Sequence, residues 1–327
     1  MKKILVLLFT LIICFVLCAC KGNKAGASYK IGLGVVSDIA SSNENKAQYD
    51  ATVAAVVTDG NGKIVACKID SVQNAIEISN GVIDKANTEF MTKRELGDDY
   101  GMREASPIGK EWYEQADYFA DYVIGMTVSD VKAIHINKKD DVISAGCTID
   151  ISDFVKAIVK GGEDSGAKAF KSTEYNVGIG VDSSLSAQSR DAQNGEGLVK
   201  FDINISAVVT DNGGKVLTLI TDSVEPEIKI GSAGVSDNKE KSISTKRELG
   251  ENYGMKKYSG IGKEWFEQAN AFDDYTAGLD IDGVKSIKTV EESGSQKAED
   301  EYLRSGCTIA VDGLIRSAIK AIESVKK

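Results

Sequence analysis

Apolar and polar positions alternate from Tyr49 to Thr58, break at Asp59-Gly60-Asn61-Gly62, and resume from Lys63 to Ile69. A period of two sends successive side chains to opposite faces of a strand, and Asp-Gly and Asn-Gly supply the positive φ angles of a tight turn, so this stretch predicts a β-hairpin. A second hairpin is predicted around Asp211-Asn212-Gly213-Gly214. Ahead of each lies an apolar run, Tyr29 to Val36 and Tyr175 to Val181. The period then lengthens. Trp112, Ala116, Phe119, Ala120 and Val123 recur at three- and four-residue spacing, with Lys110, Glu111, Glu114 and Asp121 elsewhere on the cylinder, which predicts a helix. Ser106-Pro107 suits its start and Gly125 its stop. Trp265, Ala269 and Phe272 repeat the stripe. Short closing helices are expected through Phe154, Val155, Ile158 and Val159, and through Leu314, Ile315, Ala318, Ile319 and Ile322, with Ser152 and Asp312 as N-caps. The class is therefore α+β, with helices packed on an antiparallel sheet.

These elements form two copies. Thr92-Lys93-Arg94-Glu95-Leu96-Gly97 returns as Thr245-Lys246-Arg247-Glu248-Leu249-Gly250 at an offset of 247 − 94 = 153, which Tyr100/Tyr253, Met102/Met255 and Trp112/Trp265 keep. Both copies close on one tripeptide, Gly146-Cys147-Thr148 and Gly306-Cys307-Thr308, at an offset of 308 − 148 = 160. Seven residues (160 − 153) are thus inserted upstream in the second copy. A tripeptide that keeps its residue types across an insertion is constrained by more than core packing, which makes it the first candidate for chemistry. The copies are placed at residues 28–160 and 174–327. Between them, 161–173 opens with Gly161-Gly162-Glu163-Asp164-Ser165-Gly166, which reads as a flexible linker.

Residues 1–19 read as a signal peptide: Lys2 and Lys3, then an apolar stretch from Ile4 to Leu17. That stretch is shorter than the roughly 20 apolar residues of a spanning helix. Leu17-Cys18-Ala19-Cys20 resembles a bacterial lipobox, and the resemblance implies cleavage before Cys20 and lipid on its sulfur. The mature protein would then sit on the extracytoplasmic face of the cell membrane, held by a tether over 20–27. Beyond Cys14, Cys18 and Cys20 only Cys67, Cys147 and Cys307 remain, too few for a disulfide framework, and they read as small buried residues. A net charge of −10 argues against nucleic acid and against adhesion to anionic lipid. The single histidine, His135, is matched by Lys288 in the second copy, so no metal site and no Ser/His or Cys/His catalysis built on histidine is common to both.

Ser305-Gly306-Cys307-Thr308 is similar to the Ser-Gly-Ala-Thr flavinylation motif of FMN-binding domain proteins. That family includes the C subunit of sodium-pumping NADH:quinone reductase, the G subunit of Rnf-type complexes, and surface lipoproteins with two such domains in tandem. Those lipoproteins resemble this chain over nearly its whole mature length, including Gly-Lys-Glu-Trp and Tyr-Gly-Met. The resemblance implies two covalent FMN groups, their phosphates esterified to Thr148 and Thr308 by a flavin transferase. Cysteine replaces alanine at 147 and 307, Ala145 stands where serine is common, and the upstream acid, Asp141 or Glu301, lies one residue further away than usual.

The chemistry suits these residue types. Gly146 and Gly306 let a transferase approach the backbone, and a helix starting a few residues later can offer N–H groups to a phosphate. Lys93, Arg94, Lys246 and Arg247 supply cations for the phosphate or for reduced flavin, or are solvated pairs with Glu95 and Glu248. Tyr100, Met102, Tyr253 and Met255 can line an isoalloxazine face, or pack the core. Trp112 and Trp265 read as core. By resemblance, the function is that of a redox carrier rather than an enzyme, taking electrons from a membrane quinone-linked flavoprotein and passing them to external acceptors. The alternative is a non-redox lipoprotein, a solute-binding or surface interaction module; a cysteine hydrolase lacks a matching base. The tether from Lys21 to Ser28, at about 3.5 Å per residue, reaches roughly 28 Å. With a flexible linker, the expectation is a relay in which the first copy collects electrons at the membrane and a mobile second copy delivers them.

Overall fold

The computed structural model describes residues 28–135, 141–192, 195–236 and 242–325. The signal peptide, Cys20 and the tether lie outside them. The first copy runs β1 (Ser28–Asp38), β2 (Lys46–Thr58), β3 (Ile64–Ser79), β4 (Val82–Ile83), α1 (Lys93–Leu96), α2 (Trp112–Tyr122), α3 (Val128–Lys132), α4 (Asp141–Ser144) and α5 (Ser152–Gly162). After β5 (Lys168–Lys171) the second copy gives β6 (Asn176–Leu185), β7 (Gly197–Thr210), β8 (Val216–Val224), β9 (Glu227–Gly231), β10 (Gly234–Val235), α6 (Lys246–Leu249) and α7 (Trp265–Thr276). It closes with α8 (Ile281–Lys285), β11 (Thr289–Glu292), β12 (Ser295–Ala298), α9 (Glu301–Gly306) and α10 (Asp312–Ser324). The class is α+β with antiparallel sheets.

Both hairpins form where the alternation ends. Asp59 Oδ1 accepts from the N–H groups of Asn61 and Lys63 at 2.8 and 2.9 Å, and Gly62 takes φ 75°. The second turn repeats this with Asp211 and Gly214. The first sheet has the order β4-β3-β2-β1-β5. In the second, β7 pairs with β6 on one edge and with β8 and then β9 on the other, so β8 and β9 together replace the 16-residue β3. Pro226 lies at the break, where a residue without an N–H cannot sustain the ladder.

Four layers result. Ala54, Val56, Ile64 and Ile69 turn to one side of the first sheet and pack against α2 and α5. Val208, Val216 and Leu219 do the same against α7 and α10. The opposite faces meet each other, with Leu33, Tyr49, Val53 and Val57 packed in one cluster with Val181, Phe201, Ile203 and Ile205. Helix and strand approach closely at the glycines of the first strands: a Cβ on Gly34 would lie 2.0 Å from the Ala157 carbonyl oxygen.

The copies also exchange backbone reciprocally. Phe90 N–H donates to Ser183 O at 3.0 Å and Leu185 N–H to Thr88 O at 2.7 Å, while Ile243 N–H donates to Ser37 O at 3.0 Å. Lys160 pairs with Glu248 and Lys320 with Glu95, two ion pairs that occupy equivalent positions. The segment expected as a flexible linker is instead part of this body. Residues 168–171 pair with β1, Asp164 Oδ2 accepts from Leu33 N–H, and Lys168 Nζ bridges Asp273 and Asp274. Its glycines are required by contact: Gly161 is buried, and a Cβ there would meet Val56 and Gly34.

Three helix starts differ from expectation. Glu111, not Ser106, caps α2, with its N–H donating to the Glu114 carboxylate at 2.8 Å. Ser152 and Asp312 are first helical residues, one place beyond the caps Ile151 and Val311. The inserted residues fall in the stretch that carries the β11–β12 hairpin.

Candidate functional site

Each Gly-Cys-Thr loop lies between a short helix and the closing helix, against the first two turns of α2 or α7. Thr148 is exposed and Thr308 half-buried. Gln115 takes both hydrogen bonds of Thr148 on its Oε1, from the backbone N–H at 2.8 Å and from Oγ1 at 3.1 Å. Gln268 does the same for Thr308, at 2.8 and 3.0 Å. Both glutamines are fully buried. Their amide nitrogens are spent on fixed partners: Nε2 of Gln115 donates to Lys110 O, Ser106 Oγ and Met102 Sδ, and Nε2 of Gln268 to Lys263 O, Ser259 Oγ and Met255 Sδ. Behind them, buried Glu111 accepts from Met102 and Arg103 N–H, and Glu264 from Met255 and Lys256 N–H, which ties the methionine loop to the helix start.

The loop glycines are held by contact. A Cβ on Gly146 would fall 2.2 Å from the Tyr118 ring, and one on Gly306 2.8 Å from Ala271 Cβ. Cys147 and Cys307 point into the core, where burial pushes their thiols up to about 11 and about 12; Cys67 is half-buried rather than buried as expected, and desolvation raises its thiol to about 12. A thiol so protonated is no nucleophile near neutrality. Iodoacetamide at about pH 8 is expected to leave all three unmodified in the native protein and to alkylate them after unfolding, as peptide masses would show.

Lysine and arginine of the repeated Lys-Arg pair separate. Lys93 Nζ lies 5.0 Å from the Tyr100 ring centre and 5.7 Å from that of Trp112, and Lys246 Nζ lies 5.1 Å from Tyr253 and 5.4 Å from Trp265. The arginines turn away. Arg94 clasps Ile69 O and the exposed Asp117, whereas Arg247 clasps Thr221 O, Asn270 and the fully buried Asp273. Each arginine also faces a buried aspartate, Asp70 or Asp222, whose carboxyl burial pushes up to about 6 against the pull of the guanidinium. The arginines thus serve the junction between strand and helix, and the structure does not bring them to the threonines.

In the second copy Thr308, Lys246, Tyr253, Met255 and Trp265 line a single open cavity of about 820 Å³. The first-copy cavity, about 450 Å³, is lined by Lys93, Met102, Trp112 and Ile149, the residue after Thr148. Both volumes fall within the roughly 300–1,000 Å³ of small-molecule and cofactor clefts. The larger one gains a wall from Gly294, Ser295 and Lys297 of the inserted hairpin, which is fastened to the threonine loop by Val311 N–H donating to Gln296 O at 2.8 Å. Charge differs as well: Lys246 is paired with Glu225, which Lys200 also contacts, and the first copy has neutral Gln73 at the place of Glu225. Of the upstream acids, Glu301 is exposed, and Asp300 rather than Glu301 caps α9 by accepting from Leu303 N–H.

The glutamines, the buried glutamates and the hairpin wall escaped the sequence reading. Gln115/Gln268, Glu111/Glu264 and Ser106/Ser259 all keep the offset of 153, a signal present in the sequence but indistinguishable there from helix-surface polarity.

No protein-family model matches the chain, and no solved structure matches it. It is similar, at 31% identity over 118 residues, to a curated protein described as chlorophenol reductase from Desulfitobacterium hafniense. The match takes in 31% of this chain and 36% of that protein, so the chain spans well under half of that relative's length.

Proposed function

We propose that this protein is a lipid-anchored extracytoplasmic electron carrier, built from two FMN-binding-domain-like repeats with one FMN esterified to Thr148 and one to Thr308. The observation that carries the reading is the placement of Thr308 on the wall of a cavity that Lys246, Tyr253, Met255 and Trp265 also line, with Lys93, Met102 and Trp112 lining the smaller first-copy cavity beside Ile149, the residue after Thr148. When bound, FMN supplies the electron transfer. The chain holds and orients it. The threonine hydroxyl gives the point of attachment, and the tyrosine and methionine give an apolar, polarizable face. In the first copy the Lys93 ammonium, steadied over two aromatic rings, offers the positive charge that a reduced flavin needs, whereas Lys246 shares its charge with Glu225. The similarity to a protein named as a reductase accords with a redox role. A flavin transferase is the maturation partner, a membrane quinone-linked flavoprotein the donor, and external oxidants the acceptors.

Chain produced together with a flavin transferase is expected to be yellow, to fluoresce on a denaturing gel, and to exceed its unmodified mass by two esterified FMN groups. An unmodified mass would end the proposal. The anchor has a separate test. Cys20→Ala should move the protein from the membrane fraction to the soluble fraction, and continued membrane retention of a correctly processed chain would remove the lipid anchor from the reading.

A further inference from the structure

We propose that Gln115 and Gln268 are the positioning residues for threonine modification, each presenting its threonine hydroxyl to the incoming phosphoryl group. The inference rests on the flavin reading and specifies the part of the chain that makes the threonine an acceptor. A threonine on a surface loop has three χ1 rotamers and a mobile backbone, so its oxygen samples many directions. Here one amide oxygen receives both the backbone N–H and the Oγ1 hydrogen, at 2.8 and 3.1 Å in the first copy and at 2.8 and 3.0 Å in the second. Two bonds converging on one atom fix the loop's backbone and χ1 together. The amide oxygen is itself immovable. Each glutamine is fully buried, and its nitrogen is held by a backbone carbonyl, a serine hydroxyl and a methionine sulfur. Fixing the nitrogen also fixes which end of the amide faces the threonine, so Oε1 accepts and cannot be exchanged for a donor.

Because the hydroxyl hydrogen is committed to Oε1, the oxygen keeps its lone pairs for the incoming phosphorus. The donor required is a flavin nucleotide whose riboflavin phosphate is activated as a phosphoric anhydride. In the transfer, an Oγ1–P bond forms and the anhydride P–O bond breaks, and its electron pair leaves with the nucleotide monophosphate. The hydroxyl proton goes to a base of the transferase, since an amide oxygen does not take it. Glutamine thus supplies orientation rather than proton transfer, and misplacement of an attacking atom by about 1 Å costs around a hundredfold in rate.

Duplication provides an internal standard. The full chain carrying Gln268→Ala is incubated with a flavin transferase and flavin adenine dinucleotide, and flavin on the Thr148 and Thr308 peptides is followed by mass over time. Expected is at least tenfold slower labelling of Thr308 with Thr148 at the wild-type rate, and the mirror result for Gln115→Ala. An unchanged ratio of the two labelling rates in Gln268→Ala would overturn the proposal. If the shared fold suffers and both sites slow, Gln268→Met decides, because it refills the buried volume without an accepting oxygen toward Thr308. A Thr308 rate at least tenfold down relative to Thr148 then supports the proposal, and an unchanged ratio overturns it. Wild-type chain that takes up flavin on neither threonine would instead defeat the flavin reading itself.

Discussion

Thr148→Val and Thr308→Val should each remove one esterified flavin, and the double variant should be colourless. Valine matches threonine in shape but has no oxygen to esterify, so the change deletes the bond without disturbing the loop. The hydrogen bond from the backbone N–H of residue 148 or 308 to its glutamine survives the change. Thr→Ser at the same positions keeps the hydroxyl and should retain flavin, at a reduced rate because χ1 is less restricted. Intact mass gives the count and absorbance the stoichiometry. A Thr308→Val protein that still carries two flavins would place the second attachment elsewhere, and one that carries none would mean that the first site depends on the second.

The repeat, the hairpins, the helical stripe of α2 and the threonine loops were legible because each is local: alternation, turn residues and three-four spacing are all set within about a dozen positions. Most of the misreadings share one cause, which is contact with parts of the chain distant in sequence. β3 runs ten residues past the expected end at Ile69, through Asp70, Ser71, Gln73 and Asn74, a polar run that does not look like a strand. Asn74 is nevertheless fully buried, and its amide donates to Ser183 Oγ of the other copy at 2.6 Å. Gly161 and Asp164 read as linker residues by composition, yet one is there for the close approach of α5 to β1 and the other to accept the Leu33 N–H. Lys168 gives no sign in the sequence that it reaches Asp273, whose counterpart in the first copy is Ala120. The site was half legible for a similar reason. Residues that point to chemistry by type, threonine and lysine, were found, and the glutamine that orients the threonine looked like any polar residue of an amphipathic helix.

Phe201→Ala is expected to destabilise both copies together. The Phe201 ring is fully buried between the sheets, with its centre 5.6 Å from that of Phe90 and 6.5 Å from that of Tyr49, both contributed by the other copy. Removing it opens a cavity where neither sheet can collapse alone, at a cost of about 3–5 kcal/mol. The protein has two tryptophans, one in each copy, so Trp265→Phe leaves Trp112 to report on the first and Trp112→Phe leaves Trp265 to report on the second. In urea both reporters should give one coincident transition, shifted equally by Phe201→Ala. Two separate midpoints, with only the Trp265 signal displaced, would show independent copies. The outcome bears on function. A relay that needs the second copy to swing away from the first would have to break the shared core, the exchanged backbone pairs of residues 88–90 and 243, and the Lys168 bridge. With a single transition, the two threonine sites are fixed parts of one body, and any passage of electrons between them crosses a constant separation set by the fold rather than by a moving arm.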